Sequence, residues 1–354
     1  MKGLVLCGGR GTRLRPLTYT LAKQLIPVAN RPILSYVFDH LQVAKIKEVG
    51  VIISPETGPA IQKFLGDGSR WNIRIKFILQ EEPRGLAHAV KTARNFLGDD
   101  SFVMYLGDNL LQDGITSALN IFTSTAVDAL VMLKAVENPS AFGVAVLNEA
   151  GAIVRLMEKP KHPPSNLALV GVYIFSPKIH SVIDTLRPSW RNELEITDAI
   201  QVLIEQGGMV KPVLVDGWWL DTGKKDDLLD ANHYVLATYC ARNLFGVVDN
   251  SEIVGNVALA AGARVTDSKI YGPAVVGTDT TIEKSTIGPF TSIGDNCTVQ
   301  QSHIEQSVVL EKSTITNVTQ LTGSLIGREV KIQGKPGARY NLRLLLSDSS
   351  EVEL

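Results

Sequence analysis

Gly8-Gly9-Arg10-Gly11-Thr12-Arg13 follows directly on the apolar run Leu4-Val5-Leu6-Cys7. Glycines at the end of a strand let backbone N–H groups approach a polyphosphate closely, and an arginine in the same turn adds a planar cationic fork. Arg15 and Lys23 add positive charge downstream. Two phosphate loops fail to fit. No Lys-Ser or Lys-Thr follows the glycines, as a P-loop requires. The dinucleotide fingerprint, started at Gly9, ends on Leu14 instead of glycine. What remains is a strand-to-helix turn that holds phosphates in another way. Two aspartates are the next candidates. Asp108 ends FVMYLGD, at the carboxyl edge of a predicted parallel sheet, where ligands bind; Asp221 lies in WWLDTG just before Gly223. Two carboxylates converging on a triphosphate can hold Mg²⁺, which keeps waters and takes few protein ligands. Gln80 follows IRIKFIL, and its carboxamide presents donor and acceptor together, matching the imide edge of uracil or thymine. Glu158-Lys159 in LMEKP sets opposite charges side by side; on a strand these side chains face opposite ways, and Pro160 ends the strand.

These residues need elements to position them. KGLVLC, EVGVIIS, IRIKFILQ and FVMYLGDN read as strands. RPILSYVFDHLQVAKI carries a helical stripe at Ile33, Val37 and Leu41, and LAHAVKTARNFLG is a second helix. Alternation of this kind predicts an α/β fold with a largely parallel sheet. ALVMLKAV, GVAVLN, IVRLMEKP and ALVGVYIFS, with short connections, predict an antiparallel extension. LEITDAIQVLIEQG and KKDDLLDANHYVLATYCA are further helices.

Past about residue 245 the period changes. Ile253, Ile270, Ile287, Ile304 and Leu321 recur every 17 residues, as do Leu259, Val276, Ile293 and Leu310. A third column, Val265, Ile282 and Val299, slips by one to Ile315. Three apolar columns per repeat describe a prism of short strands, and Gly255, Gly272, Gly277, Gly288 and Gly294 fall just after column residues, where tight turns need glycine. This pattern resembles a hexapeptide left-handed parallel β-helix. Its stacked columns supply a core of their own and leave room for a homo-oligomer through a flat face.

The 354-residue length suits two domains at roughly 150 residues each. A net charge of −1 gives no global support for nucleic-acid binding. Cys7, Cys240 and Cys297 form neither a metal spacing nor an even disulfide set. The first apolar run is too short for a signal peptide, and no stretch reaches membrane-span length, so a cytoplasmic protein without a membrane partner is expected.

GGRGTRLRPLT and KQLIPVANRP, followed by LQEEPRGLAHA, LGDN, AFGV, MEKP, LVGVYIF, NELEITD and WLDTG in order, resemble the signature of the sugar-phosphate nucleotidylyltransferases. The resemblance covers residues 1 to about 240. With the β-helix it is most similar to the long-form branch that uses dTTP and glucose 1-phosphate. It implies a Rossmann-like nucleotidyltransferase domain over 1–240, followed by a left-handed parallel β-helix over 245–354. It places Leu6, Gly8, Gly9, Gly11, Thr12, Arg13, Gln24, Gln80 and Gly85 on the nucleotide. It gives Asn109, Gly143, Glu158, Lys159 and Val170 to the sugar phosphate, Asp108 and Asp221 to Mg²⁺, and catalytic roles to Arg13, Lys23 and Lys159. Arg10 stands where short forms often carry serine, and His88 where they often carry glutamine. UTP or N-acetylhexosamine 1-phosphate could replace the favoured substrates, and a non-catalytic regulatory subunit is a further alternative. The intact set of Arg13, Lys23, Asp108 and Asp221 argues against the last. His303, the only histidine of the repeats, sits in a short corner segment and does not favour acyl transfer there.

Overall fold

The computed structural model describes residues 1–354 apart from Arg10. It contains two compact units that interleave along the chain: residues 1–10 with 34–221, and residues 11–33 with 222–354.

The first unit is built on a nine-stranded mixed sheet. Its main path runs Ile153–Glu158, Gly143–Leu147, Leu167–Phe175, Phe102–Leu106, Lys2–Leu6, Glu48–Ile53, Arg74–Leu79. Lys2–Leu6 is parallel to Glu48–Ile53 on one side and to Phe102–Leu106 on the other. The chain first crosses one way, to Glu48–Ile53 and Arg74–Leu79, and later returns to the opposite flank. The switch point of the topology therefore lies between Lys2–Leu6 and Phe102–Leu106, where open α/β sheets bind ligands. Leu4, Val5, Met104 and Tyr105 are fully buried there, so these strands are apolar runs without alternation. The four later runs form the antiparallel extension: Gly143–Leu147 pairs with Ile153–Glu158, and Ala129–Ala135 with Leu167–Phe175. The predicted helix after residue 85 is split at Ala93 into Leu86–Thr92 and Arg94–Leu97. Gly58–Leu65, Thr116–Ser124 and Ile179–Thr185 are further helices, too short for a periodic stripe to announce.

In the second unit the repeats form a left-handed parallel β-helix of three sheets with seven, seven and five strands. Ile270, Ile287, Ile304 and Leu321 stack in one column and Val265, Ile282, Val299 and Ile315 in another, all fully buried. Each such side chain removed from water contributes about 1.5–3 kcal/mol. One expected column is corrected. Ile293 pairs with Val309, not Leu310. The corner after Ile304 is one residue short, so the register moves by one there; the slip at Ile315 is the same deletion seen one strand later. The glycines are corrected too. Of the five expected at turns, only Gly255 has a left-handed backbone, φ 78°. The left-handed corners are taken by Asn250, Asp267, Lys284 and Gln301. Gly272 is glycine for lack of room, since a Cβ would lie 2.2 Å from the Asn256 carbonyl oxygen.

Serines satisfy the buried corners. Ser268, Ser285, Ser302 and Val318 each donate a backbone N–H to the hydroxyl one coil below, on Ser251, Ser268, Ser285 and Ser302, at 2.9–3.1 Å. A second polar device fastens residues 11–33 to the coil. Ala29 and Asn30, at φ 49° and 60°, make the tight turn of a hairpin between Pro27–Val28 and Arg31–Pro32. Asn232, on the helix Lys225–Tyr239 and 1% exposed, accepts from the Ala29 N–H at 2.9 Å and the Ser292 hydroxyl at 2.6 Å. It donates to the Phe290 carbonyl at 2.9 Å. Asn30 donates to the Ile293 carbonyl at 2.6 Å, and the His233 and Phe290 rings stack at 3.6 Å.

Asn232→Ala leaves the Ala29 N–H and the Phe290 carbonyl without these partners, at about 1–3 kcal/mol for each buried group left unpaired. The urea midpoint is expected to fall accordingly; an unchanged midpoint would show that this carboxamide does not hold the unit together.

Candidate active site

Within the first unit, the expected residues collect at the carboxyl edge of the parallel strands. The N–H of Gly107 bonds to the Leu6 carbonyl at 3.0 Å, which sets the loop after Phe102–Leu106 beside the start of the glycine turn. Gly8 faces Gln80: a Cβ on Gly8 would lie 3.2 Å from Gln80 Oε1. Gln80 is 7% exposed and contacts His88 Nδ1 through Nε2 at 2.8 Å. Gly85, at φ 100°, opens the helix Leu86–Thr92; a Cβ there would strike the Leu194 carbonyl, so its lack of a side chain is already required by packing.

Asp108 lies two residues beyond its strand, in the tight link to Asn109–Leu111. That short strand pairs antiparallel with Trp219–Asp221, and the register sets Asp221 opposite Asn109, one residue from Asp108. Asn109 is 2% exposed, donates to Asp108 Oδ1 at 3.3 Å and accepts from Trp219 Nε1 at 2.6 Å. Gly171, on the neighbouring strand, leaves space for this amide, because a Cβ would stand 3.0 Å from Asn109 Cγ. Val170 beside it is fully buried, in a stretch where the ladder to Ala129–Ala135 is interrupted. Among the described residues no group of three or more His, Cys, Asp or Glu could hold a metal ion. The carboxylates this edge offers are Asp108 and Asp221; such a hard oxygen pair would leave most of an octahedral shell to water and ligand oxygens, which suits Mg²⁺.

Glu158 and Lys159 do not face opposite ways. The strand ends at Glu158, Lys159 turns left-handed at φ 42°, and its Nζ lies 3.5 Å from Glu158 Oε1. A bulky residue at positive φ is a strained choice that functional sites often hold. The Lys159 N–H bonds to the Phe142 carbonyl at 3.1 Å, and the Phe142 ring packs on Trp219 at 5.1 Å, linking this turn to the Asp221 strand. Gly143 pairs with Glu158, and a Cβ on it would lie 2.8 Å from Thr197 Cγ2. Glu158 also accepts from Thr197 at 3.3 Å and meets Arg191 at 3.5 Å. Burial lifts its carboxyl above the ordinary range; Lys159, Arg191 and Thr197 oppose that, and Glu195 adds to it. Arg191, Thr197 and Trp219 were not singled out from the sequence as site residues. Their signals were NELEITD and WLDTG, which carry them or border them but give no partner.

The second unit holds Gly11, Thr12, Arg13, Lys23 and Gln24. Thr12–Leu14 is one 3₁₀ turn in place of the expected helix. Gly11, at φ 63°, packs under Lys23, whose Cβ would be 3.1 Å from a Cβ on the glycine, and its carbonyl accepts from the Thr18 hydroxyl at 2.8 Å. Arg13 is exposed. Gln24 is 1% exposed, and its Oε1 has no hydrogen-bond partner among the described residues, so an acceptor waits there for a donor. Arg10 lies outside the described residues.

A sequence model of the nucleotidyl transferase family matches residues 2–238. The glucose-1-phosphate thymidylyltransferase of Streptomyces griseus is 45% identical over 355 residues, covering 100% of this chain and 99% of its own. The low-salt glycan biosynthesis nucleotidyltransferase Agl11 of Haloferax volcanii is 43% identical over 360 residues, covering 100% of both. A crystal structure of a Bacillus anthracis protein, assigned as a glucose-1-phosphate thymidylyltransferase in complex with a sucrose, superposes with a TM-score of 0.64 at 34% identity; it covers 69% of this chain and 98% of its own.

The folded protein holds a proton on Glu158 more tightly than the unfolded chain does. Its contribution to stability is therefore present below the ordinary carboxyl range and lost as pH rises through the lifted value. Glu158→Gln removes that dependence. Between about pH 4 and pH 7 the wild-type urea midpoint is expected to fall relative to the variant's; a relative rise over that range would contradict the burial argument.

Proposed function

Because the chain belongs to the nucleotidyl transferase family, we propose that it joins glucose 1-phosphate to dTTP, giving dTDP-glucose and pyrophosphate. The observation that carries this reading is the meeting of Gly8, Gln80, Asp108 and the Asp221 ladder at one sheet edge, beside the switch point. The full-length likeness to glucose-1-phosphate thymidylyltransferases supports the choice of substrates.

A phosphate oxygen of the sugar phosphate attacks the α-phosphorus of the nucleotide, and pyrophosphate leaves. The nucleophile is already an anion, so no general base is needed; catalysis is positioning and charge neutralisation. Leu6 and Gly8 flank the nucleoside, Gln80 and Gly85 take the base edge, and the backbone of Gly9, Gly11 and Thr12 receives the phosphates. Arg13 and Lys23 neutralise the triphosphate and the departing pyrophosphate, and the free acceptor of Gln24 takes a hydroxyl or amide donor of the nucleotide. Glu158 accepts from sugar hydroxyls, and its raised affinity for protons is the cost of keeping a carboxylate in a desolvated pocket. Lys159 holds the attacking phosphate, with Asn109, Gly143 and Val170 lining the sugar site. Asp108 and Asp221 would hold Mg²⁺, which supplies charge neutralisation between the two anionic substrates when bound. No helix among the described residues is long and apolar enough to cross a membrane, and all three cysteines are free thiols, in keeping with work in a reducing cytoplasm.

Four nucleoside triphosphates crossed with several sugar 1-phosphates, read by pyrophosphate release, are expected to give fastest turnover with dTTP and glucose 1-phosphate. UTP should follow, because one methyl is worth only ~1–3 kcal/mol in a pocket; faster turnover with ATP or GTP would refute the assignment. Asp108→Asn keeps shape and removes a charge, so the fold should survive while turnover falls by about two orders of magnitude or more, the scale of losing one charge-stabilising group. Normal turnover and Mg²⁺ dependence in that variant, or wild-type activity persisting in excess EDTA, would remove the carboxylate pair from the reaction.

A further inference from the structure

Gln80 can read a pyrimidine only if its carboxamide is held one way round. The imide edge of thymine offers N3–H as a donor between two carbonyl acceptors, whereas cytosine offers an acceptor at N3 and a donor at N4. A carboxamide turned by 180° about its last bond swaps oxygen for nitrogen and would suit cytosine as well as the original orientation suits thymine. Nothing in Gln80 itself chooses between the two.

We propose that His88 makes the choice: by accepting from Gln80 Nε2, it fixes Gln80 Oε1 toward Gly8 and so selects thymine or uracil over cytosine. This inference rests on the reading of Gln80 as the residue that meets the base. Three observations place His88 in that role. Gln80 Nε2 lies 2.8 Å from His88 Nδ1, so one of the two amide hydrogens is committed to the ring. Gln80 Oε1 points to the face of Gly8, where a Cβ would meet only that oxygen, at 3.2 Å, and Ile52 Cγ2, at 3.7 Å. Gln80 is 7% exposed, so free rotation in water is not available to it. His88 is carried on the first turn of Leu86–Thr92, whose start is fixed by Gly85 against Leu194 and by the Ala87 N–H bonded to the Leu194 carbonyl at 3.0 Å.

The ring must be a bare acceptor at Nδ1, since two donors cannot face each other. Its surroundings favour that form. Burial holds the imidazole below the ordinary histidine range, Arg84 and Lys91 add to the effect, and Glu82 opposes it. The neutral tautomer with its proton on Nε2 then leaves Nδ1 free to accept. The second Gln80 amide hydrogen and Oε1 remain for the base, as a donor–acceptor pair of fixed sense. His88 touches no reacting atom; it is a positioning residue for nucleotide choice.

The test is the ratio of kcat/KM for dTTP over dCTP in the full-length protein. His88→Leu removes the acceptor, and the ratio is expected to fall by about tenfold, the scale of one hydrogen bond. The KM for the two nucleotides should carry that change, more than the KM for glucose 1-phosphate. His88→Glu, an acceptor without donors, should keep the thymine preference. His88→Lys, a donor without acceptors, should turn the carboxamide round and lower the ratio further than leucine does. These two variants decide the matter if leucine at this position fails to fold. A wild-type preference that persists in both His88→Leu and His88→Lys overturns the role of His88 and leaves the reading of Gln80 intact. A wild-type enzyme that uses dTTP and dCTP equally overturns both.

Discussion

A buried carboxamide costs free energy unless every polar group on it is answered, and in this protein one such group ties distant parts of the chain together. Asn232 is nearly sealed from water and answers a hairpin amide, a serine hydroxyl and a main-chain carbonyl at once. The amide is 203 residues away in sequence and the hydroxyl 60. Through it, the segment that carries Arg13, Lys23 and Gln24 is packed into the same unit as the β-helix. The coil is therefore more than a stable appendage. It is the platform on which that segment is docked, and its own order depends on stacked serines that satisfy the corners from one coil to the next.

In the first unit, positional accuracy comes from the sheet. Gly8 and Asp108 follow the two strands that flank the switch point, so their places are fixed by a parallel register with fully buried neighbours. Asp221 reaches the same edge by a different device, a short antiparallel ladder whose register leaves no freedom of one residue without turning its side chain to the other face. Around Glu158 the chain departs from regular geometry: it turns left-handed at Lys159, and burial lifts the Glu158 carboxyl among Arg191, Glu195 and Thr197. Such local costs are normal where a site must bind a polar ligand tightly, and are met by the surrounding fold.

Much of this was legible in the sequence. Unbroken apolar runs announced the parallel strands, and columns recurring every 17 residues announced the coil, because both patterns are the direct imprint of burial. The places of Gly8, Gln80 and Asp108 just past strand ends were legible for the same reason. What escaped depends on contacts between residues far apart. No pattern near Asn232 reveals that its amide closes over Ala29 and Ser292. The shift from Leu310 to Val309 follows from one missing corner residue, which alternation alone cannot locate between two adjacent apolar side chains. Glycines in the coil were misread because two constraints select glycine, a left-handed turn and a lack of room, and the first was assumed where the second mostly applies. Glu158-Lys159 was read as a continuing strand, whereas the strand stops between them.

The fastening of Asn30 and Asn232 to Phe290, Ser292 and Ile293 has a consequence for how this chain can change length. Each added coil displaces everything after it by about 4.8 Å along the stack, too far for any of those hydrogen bonds to survive. Coils cannot be gained or lost between the end of the helix at Tyr239 and the rung at Phe290 without undocking the hairpin. Beyond that rung the repeat is less regular: one corner is a residue short after Ile304, and the step from Ile332 to its partner Val352 is 20 residues instead of 17, while Thr20 donates to Asp348 at 2.8 Å and Arg343 pairs with Asp226, so the far end is fastened by its own contacts. Both of these departures from the 17-residue step thus lie beyond the rung that the hairpin grips.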